Sequence, residues 1–324
     1  ATMMAAASLT ACGGSGTAST TAADTKAADT TAADSAADTK AAPADKIGLA
    51  GSGKELIFTT GGDQGTYYGF GSVIAGQISD LTDTTVTAIV GKGSKGNIEA
   101  MDAGDAQLGF VQSDVMSYAY NGTNLFDGAK IDGFSTVAAL YMEQVQIVTL
   151  DPDIKTVADL KGKTVSVGDS GSGVYFNALD CLGAYDLTID DIKPTYQSFG
   201  DSVEAMQDGK IDAAFIVAGA PTTAVTSLAA TRDVYLVELD DEHIEKLEKD
   251  ATTVAVSAVV IAQDDVDEND IYNFVAGIYD SIDTLGHDKK NELDLDFAAS
   301  VTAVPYHAGA AKYFAEKGLT VPTK

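Results

Sequence analysis

The chain has 324 residues, 45% of them hydrophobic, and a formal net charge of −28. A surplus of negative charge on that scale repels phosphate backbones and anionic lipid, which excludes nucleic acid as a partner class. No apolar run in the body of the chain reaches the roughly 20 residues that span a bilayer as a helix. The length beyond a low-complexity start suffices for two domains of ordinary size.

In chain order, Ala1 to Leu9 reads as the tail of an apolar signal-peptide core, and Leu9-Thr10-Ala11 leads into Cys12 as a lipoprotein signal peptidase requires. Residues 1–11 are expected to be a signal-peptide remnant whose start lies outside this sequence. Cys12 is then the lipidated first residue of an extracytoplasmic protein anchored to a bacterial cell membrane. From Gly13 to Gly53 the chain is built from Ala, Thr, Asp, Ser and Lys, with almost no large apolar residue before Ile47. Such a segment buries too little surface to offset its ordering entropy, so a tether is expected over 12–53, with a reach of roughly 35 Å. With Cys12 lipidated, Cys181 stands alone. Its helical surroundings, Asn177 to Leu182, predict a buried small apolar residue rather than a nucleophile.

The body begins with a short strand, Leu56 to Thr60. A glycine turn follows at Gly61-Gly62-Asp63-Gln64-Gly65, and Thr66 opens a helix to about Ile78. A second glycine-rich turn, Gly91 to Asn97, precedes a short amphipathic helix. That helix starts an internal repeat: Ile98-Glu99-Ala100-Met101-Asp102-Ala103-Gly104 with Leu108 to Val111 recurs 105 positions later as Val203-Glu204-Ala205-Met206-Gln207-Asp208-Gly209 with Ala213 to Ile216. In both copies a helix ends at a glycine and a buried strand follows. Upstream of the second copy, strand Thr164 to Val167, turn Gly168 to Gly173 and a helix opening at Val174 repeat the order of the first half. Near the end, the acids of Asp264 to Asp270 cap and charge the start of a helix expected over 268–285.

The repeated turn-to-helix unit carries chemistry. The first N–H groups of a helix lack intrahelical partners and sit at the positive end of its dipole, and a glycine turn lets an anionic or polar group reach them. One such turn per half can face its counterpart across a cleft. Other chemistries fit less well. Gly51-Ser52-Gly53-Lys54 precedes a strand instead of following one, and Gly61 to Gly65 lacks the Lys-Ser/Thr ending of a phosphate-binding loop. Gly168-Asp169-Ser170-Gly171-Ser172 misses the nucleophile-elbow pattern, and His243, His287 and His307 all lie downstream of it. No two histidines share metal-ligand spacing. No cofactor, metal or catalytic residue is therefore expected, and a serine hydrolase is the weakest alternative.

Thr60 to Tyr68, Gly93-Ser94 with Asn97, and Phe110-Val111-Gln112-Ser113-Asp114 resemble the amino-terminal lobe of the TAXI family, the immunogenic-protein class of TRAP-transporter solute receptors. The resemblance continues through Leu140-Tyr141-Met142-Glu143, Leu160 to Lys163, Gly171-Ser172-Gly173 and Phe215 to Pro221. It ends at Pro305-Tyr306-His307-Ala308-Gly309-Ala310, with Ala308 where the family has Pro. It implies an α/β fold of the two-lobed periplasmic-binding-protein type, type II-like, with a ligand cleft between the lobes. The lobes would be 54–143 plus 258–324, and 144–257, with crossings near Gln144 to Ile147 and Val254 to Val256. It implies a monomeric receptor delivering glutamate, glutamine, 2-oxoglutarate or a similar solute to TRAP-type permease subunits. A receptor for an ABC importer or a sensor would share the fold.

Carried over by position, the cleft would be lined by Gly62, Gly65, Thr66 and Tyr67, by Ser94, Asn97, Gln112 and Ser113, and by Ser170, Ser172, Gly173, Gly219, Ala220 and Pro221. The turns would offer backbone N–H groups, the polar side chains would sort ligands, and Tyr67 would pack on the carbon chain. Arg232, the single arginine, lies outside these motifs. A carboxylate would thus be held by helix-terminal N–H groups, with Lys92 or Lys95 assisting, which favours a zwitterion or an amide over a dicarboxylate.

Overall fold

The computed structural model describes residues 46–243 and 255–324. Cys12, the signal remnant, residues 13–45 of the tether and Val254 lie outside the described residues.

Aliphatic and β-branched runs form the strands. In the first half β1 (Glu55–Thr59), β2 (Thr85–Ile89) and β3 (Leu108–Gln112) lie parallel in the order β2-β1-β3. Further along come β4 (Phe134–Thr149), β5 (Thr164–Ser166), β6 (Lys193–Thr195), β7 (Ala213–Ala218), β8 (Tyr235–Leu236) and β9 (Ala255–Gln263). The second half repeats the first: β6, β5 and β7 are parallel in the order β6-β5-β7. β3 and β7 are buried at every position, as strands covered on both faces must be.

Each parallel triplet is closed by an antiparallel strand, β9 beside β3 and β4 beside β7. Because β4 also pairs with β9, all the strands join into one path, β2-β1-β3-β9-β4-β7-β5-β6, with β8 on β4. The 16-residue β4 is the spine of the molecule. It pairs with β9 from Phe134 to Gln144 and with β7 from Gln144 to Thr149, so Gln144 is where it passes from one lobe to the other.

Helices cover both faces. The first lobe carries α1 (Thr66–Leu81), α2 (Ser94–Asp102) and α3 (Ser113–Asn121). The second carries α4 (Val174–Ala184), α5 (Phe199–Gln207) and α6 (Thr223–Ala229). The chain then returns to the first lobe with α7 (Glu268–Tyr279), α8 (Leu295–Ala298) and α9 (Ala308–Glu316). Successive strand residues point to opposite faces. Phe110 accordingly joins Phe58, Phe70 and Phe274 in one core while Val111 joins Ile98 and Met101 in another. In the second lobe Phe215 packs with Val165 and Leu182, and Ile216 with Val203 and Leu228. Each fully buried Phe or Leu contributes about 1.5–3 kcal/mol of transfer free energy.

Three expectations shift. The helix expected over 268–285 ends at Tyr279, because Asp280 caps it and Ile282–Thr284 form a separate 3-10 turn. α1 continues to Leu81. Residues 47–52, assigned to the tether by composition, are held against the first lobe: the Leu49 N–H donates to Asn273 Oδ1 at 2.6 Å, Asn273 Nδ2 returns a bond to the Leu49 carbonyl at 2.8 Å, and the Ser52 N–H donates to Asp270. Polar side chains of α7 satisfy this backbone, so it is ordered with little apolar burial.

Candidate functional site

Four helices begin at one cavity between the lobes. Their N-cap residues, Gly65 of α1, Gly93 of α2, Gly173 of α4 and Ser198 of α5, all line it. Ser198 caps its own helix by accepting from the Asp201 N–H at 3.1 Å. The caps of α1, α2 and α4 are glycines that accept no such bond, so three positive helix ends without side-chain caps stand at the cavity. The glycines are required by proximity. A Cβ on Gly173 would lie 1.7 Å from Gln112 Oε1, and Gly93, at φ +83°, would bring one within 3.2 Å of Ser172.

The lobes meet in a closed arrangement. Gly96 N–H donates to the Gly171 carbonyl at 2.9 Å, Thr66 Oγ1 to the Gly219 carbonyl at 3.0 Å, and Gln112 Nε2 to Asn177 Oδ1 at 3.1 Å. Lys289, buried in the 3-10 turn at 288–292, donates to the Ala220 carbonyl at 2.9 Å and pairs with Glu292. The space between these contacts has a volume of about 70 Å³ and is partly open to solvent.

Of the expected cleft residues, Gly62, Gly65, Thr66, Tyr67, Ser94, Gln112, Ser172 and Gly173 line this cavity. The other six do not. Asn97 is buried and structural: Nδ2 donates to the Thr60 and Phe110 carbonyls at 2.6 and 2.7 Å, and Oδ1 accepts from Thr59 Oγ1 at 2.9 Å, so both amide donors are used within the first lobe. Ser113 Oγ accepts from the Ser257 N–H where β9 enters the first lobe. Ser170 lies exposed on the outside of its turn. Gly219 and Ala220 are spent on the contacts with Thr66 and Lys289, and Pro221, after a cis peptide bond, is exposed. Lys92 lines the cavity, whereas Lys95 turns to Glu99 and the Phe126 ring.

Several lining residues escaped the sequence reading. Ser198, Phe199 and Gly200 sit at the start of α5, and the repeat offset of 105, applied to Gly93, Ser94 and Lys95, lands on them. Asp63, Gln64 and Asp169 belong to the turns themselves. The most distinctive is Glu143, a buried carboxyl on β4 that accepts the Tyr67 hydroxyl at 2.8 Å. Burial pushes its pKa up to about 8, Asp114 adds to the rise, and the Tyr67 bond and Lys289 oppose it. A lone acid inside the apolar run Leu140 to Thr149 was the available signal. Tyr67, stacked face to face on Phe110 at 4.6 Å, has its hydroxyl held far from ionisation by burial and by Glu143.

Elsewhere, Cys181 is buried and its thiol is pushed up to about 12 by desolvation. His243 stacks on Tyr185 at 3.6 Å and pairs with Asp240, and His307 caps α9 through Nδ1. Among the described residues no cluster of His, Cys, Asp and Glu could hold a metal ion, and no helix is long and apolar enough to cross a membrane.

The architecture is that of two-lobed periplasmic solute-binding proteins, and solved structures share it. A protein of Bordetella bronchiseptica RB50 matches with a TM-score of 0.54 at 16% identity, over 81% of this chain and 82% of that one. A protein of Listeria monocytogenes, provisionally named an L-cystine ABC transporter, matches with a TM-score of 0.50 at 14% identity, over 76% of this chain and 98% of that one. The alkanesulfonate-binding protein SsuA of Xanthomonas axonopodis pv. citri, bound to MOPS, is 17% identical over 81% of this chain and 83% of its own, with a TM-score of 0.48. Residues 58–318 match the model of the NMT1-like family, and the chain belongs to that family.

Proposed function

We propose that this protein is an extracytoplasmic solute-binding receptor, not an enzyme. It closes two lobes around a small organic acid or amino acid of the glutamate, glutamine or 2-oxoglutarate kind and presents it to a membrane importer. The observation that carries this reading is the convergence of four helix N-termini, two from each lobe, on one cavity. Backbone N–H groups at helix ends hold a carboxylate without an arginine. Closure needs the solute because only the closed form brings both pairs of helices to it. Ser172 Oγ has no hydrogen-bond partner among the described residues, so nothing there serves it as a general base.

An ABC-type importer is the partner favoured by the comparisons, since the Listeria protein of the same fold carries that name. A TRAP-type permease is the second reading, and what favours it is the TAXI-like motif set, of which the Gly61 to Tyr67, Gly93-Ser94 and Ser172-Gly173 segments line the cavity. Uptake assays in vesicles separate them: ATP hydrolysis drives the first class and an ion gradient the second. Lipidation at Cys12 would keep the receptor beside its importer.

Thermal unfolding of the full chain against a panel of amino acids and small carboxylic acids tests the receptor reading. A solute at 100 times its dissociation constant adds about 2.7 kcal/mol, which raises Tm by about 5–10 °C in a body of this size. A saturable rise with the compound recovered intact supports a receptor; a consumed compound, or no rise with any member, contradicts it.

A further inference from the structure

The cavity has two chemically different sides. Uncapped helix ends make one side a donor surface, but the charged side chains that line the cavity are Asp63, Glu143 and Asp169 against Lys92 alone. Asp63 is exposed and Asp169 half-buried, whereas Glu143 is 2% exposed. Its neighbours come from every element packed around it: Tyr67 of α1, Tyr141 of its own strand, Asp114 of α3 and Lys289 of the 288–292 turn. Lys289 is engaged by Glu292 and the Ala220 carbonyl. Tyr67 fills one acceptor position of the carboxyl group, and a carboxylate offers about four.

A second acceptor stands in the same wall. Gln112 is 2% exposed and lines the cavity; its Nε2 is fixed by Asn177, which orients the amide, and its Oε1 has no hydrogen-bond partner. Ser94, which lines the same wall, accepts from the Gln112 N–H through Oγ at 3.0 Å. A buried carbonyl oxygen and a buried carboxyl group lining one cavity call for a donor with several N–H groups.

We propose that Glu143 and Gln112 form an ammonium subsite, so that the solute is an amino acid bound as its zwitterion, with the acid group on the helix ends and the amine on Glu143. The proposal rests on the solute-receptor reading above. Glu143 carries a proton in the unliganded cavity at neutral pH; the incoming ammonium pairs with the carboxylate, and that proton leaves to solvent. Oxo and hydroxy acids of the same carbon skeleton bring no positive charge and bind less well.

Isothermal titration of the full chain with the twenty amino acids and their 2-oxo and 2-hydroxy counterparts, in two buffers of different ionisation enthalpy at pH 7, tests this. One or more amino acids should bind about 100-fold tighter than the matching oxo and hydroxy acids, as expected for a buried charge pair, with release of about one proton. Glu143→Gln should abolish the proton release and weaken the amino acid far more than the hydroxy acid. Preference for the oxo acid, proton uptake, or equal loss for all three classes in Glu143→Gln would overturn the ammonium subsite while leaving a receptor. Binding of no compound in the panel would overturn the receptor reading and the subsite with it.

Discussion

At the scale of residues, two positions decide whether the cavity works. Gly173 admits no side chain, because its Cβ would overlap Gln112 Oε1 and come within 2.9 Å of Ser94 Oγ. Gly173→Ala should fold, since both obstacles belong to the other lobe, but it should weaken solute binding by about tenfold or more in titrations, the cost of overpacking by about 1–3 kcal/mol. Glu143 controls the pH response. Its pKa in the folded protein, about 8, lies above its ordinary value of 4.5. The folded state therefore binds the extra proton between these values, and its contribution to stability is full below about 4.5 and lost as pH rises through 8. Glu143→Gln removes that loss. In thermal melts without solute, the Tm of the variant minus that of wild type should grow by several degrees between pH 5 and pH 8.5. A flat difference would mean that the carboxyl is not buried as described. Asp114, raised to about 6 by burial, acts in the same direction in both proteins.

At the scale of elements, the turn-to-helix unit was legible because its parts are local. Glycines, a helical period and a following apolar strand all sit within about twenty residues, and their recurrence after 105 positions identified both halves. The contents of the cavity were only partly legible. Asn97 looks like a ligand group in sequence, since an amide in a glycine-rich turn gives no sign that its bonds go to the β1 and β3 backbone. Its structural role predicts that Asn97→Ala orphans the Thr60 and Phe110 carbonyls and costs about 2–4 kcal/mol. Denaturant titration should show that loss, and solute affinity measured under folding conditions should change little, because α2 would still present Ser94. Glu143 was hidden for the opposite reason. A strand periodicity places it, but its burial comes from α1, α3 and the 288–292 turn, elements far away in sequence.

At the scale of the whole molecule, the two-lobed plan follows from a duplicated pattern of parallel strands, each closed by a strand arriving from the other half. The contacts that hold the lobes shut were not legible in the sequence. Thr66 with Gly219, Gly96 with Gly171 and Lys289 with Ala220 join residues 69 to 153 positions apart, and nothing local announces them. They bind one lobe to the other through few groups, so closure should depend on the solute. Small-angle X-ray scattering should give a larger radius of gyration without solute than with it, and Lys289→Ala should shift the unliganded protein further open. Identical radii in all three states would mean that the lobes form a fixed unit.

One intact solute is expected between the lobes with its acid group on helix N-termini. A crystal structure grown with the tightest-binding amino acid tests it most directly. Unaltered solute should appear among Gly65, Ser94, Gln112, Glu143 and Gly173, its carboxylate on backbone N–H groups and its amine within hydrogen-bond distance of Glu143. Solute bound outside this cavity, bound in the reverse orientation, or converted to a product would contradict it.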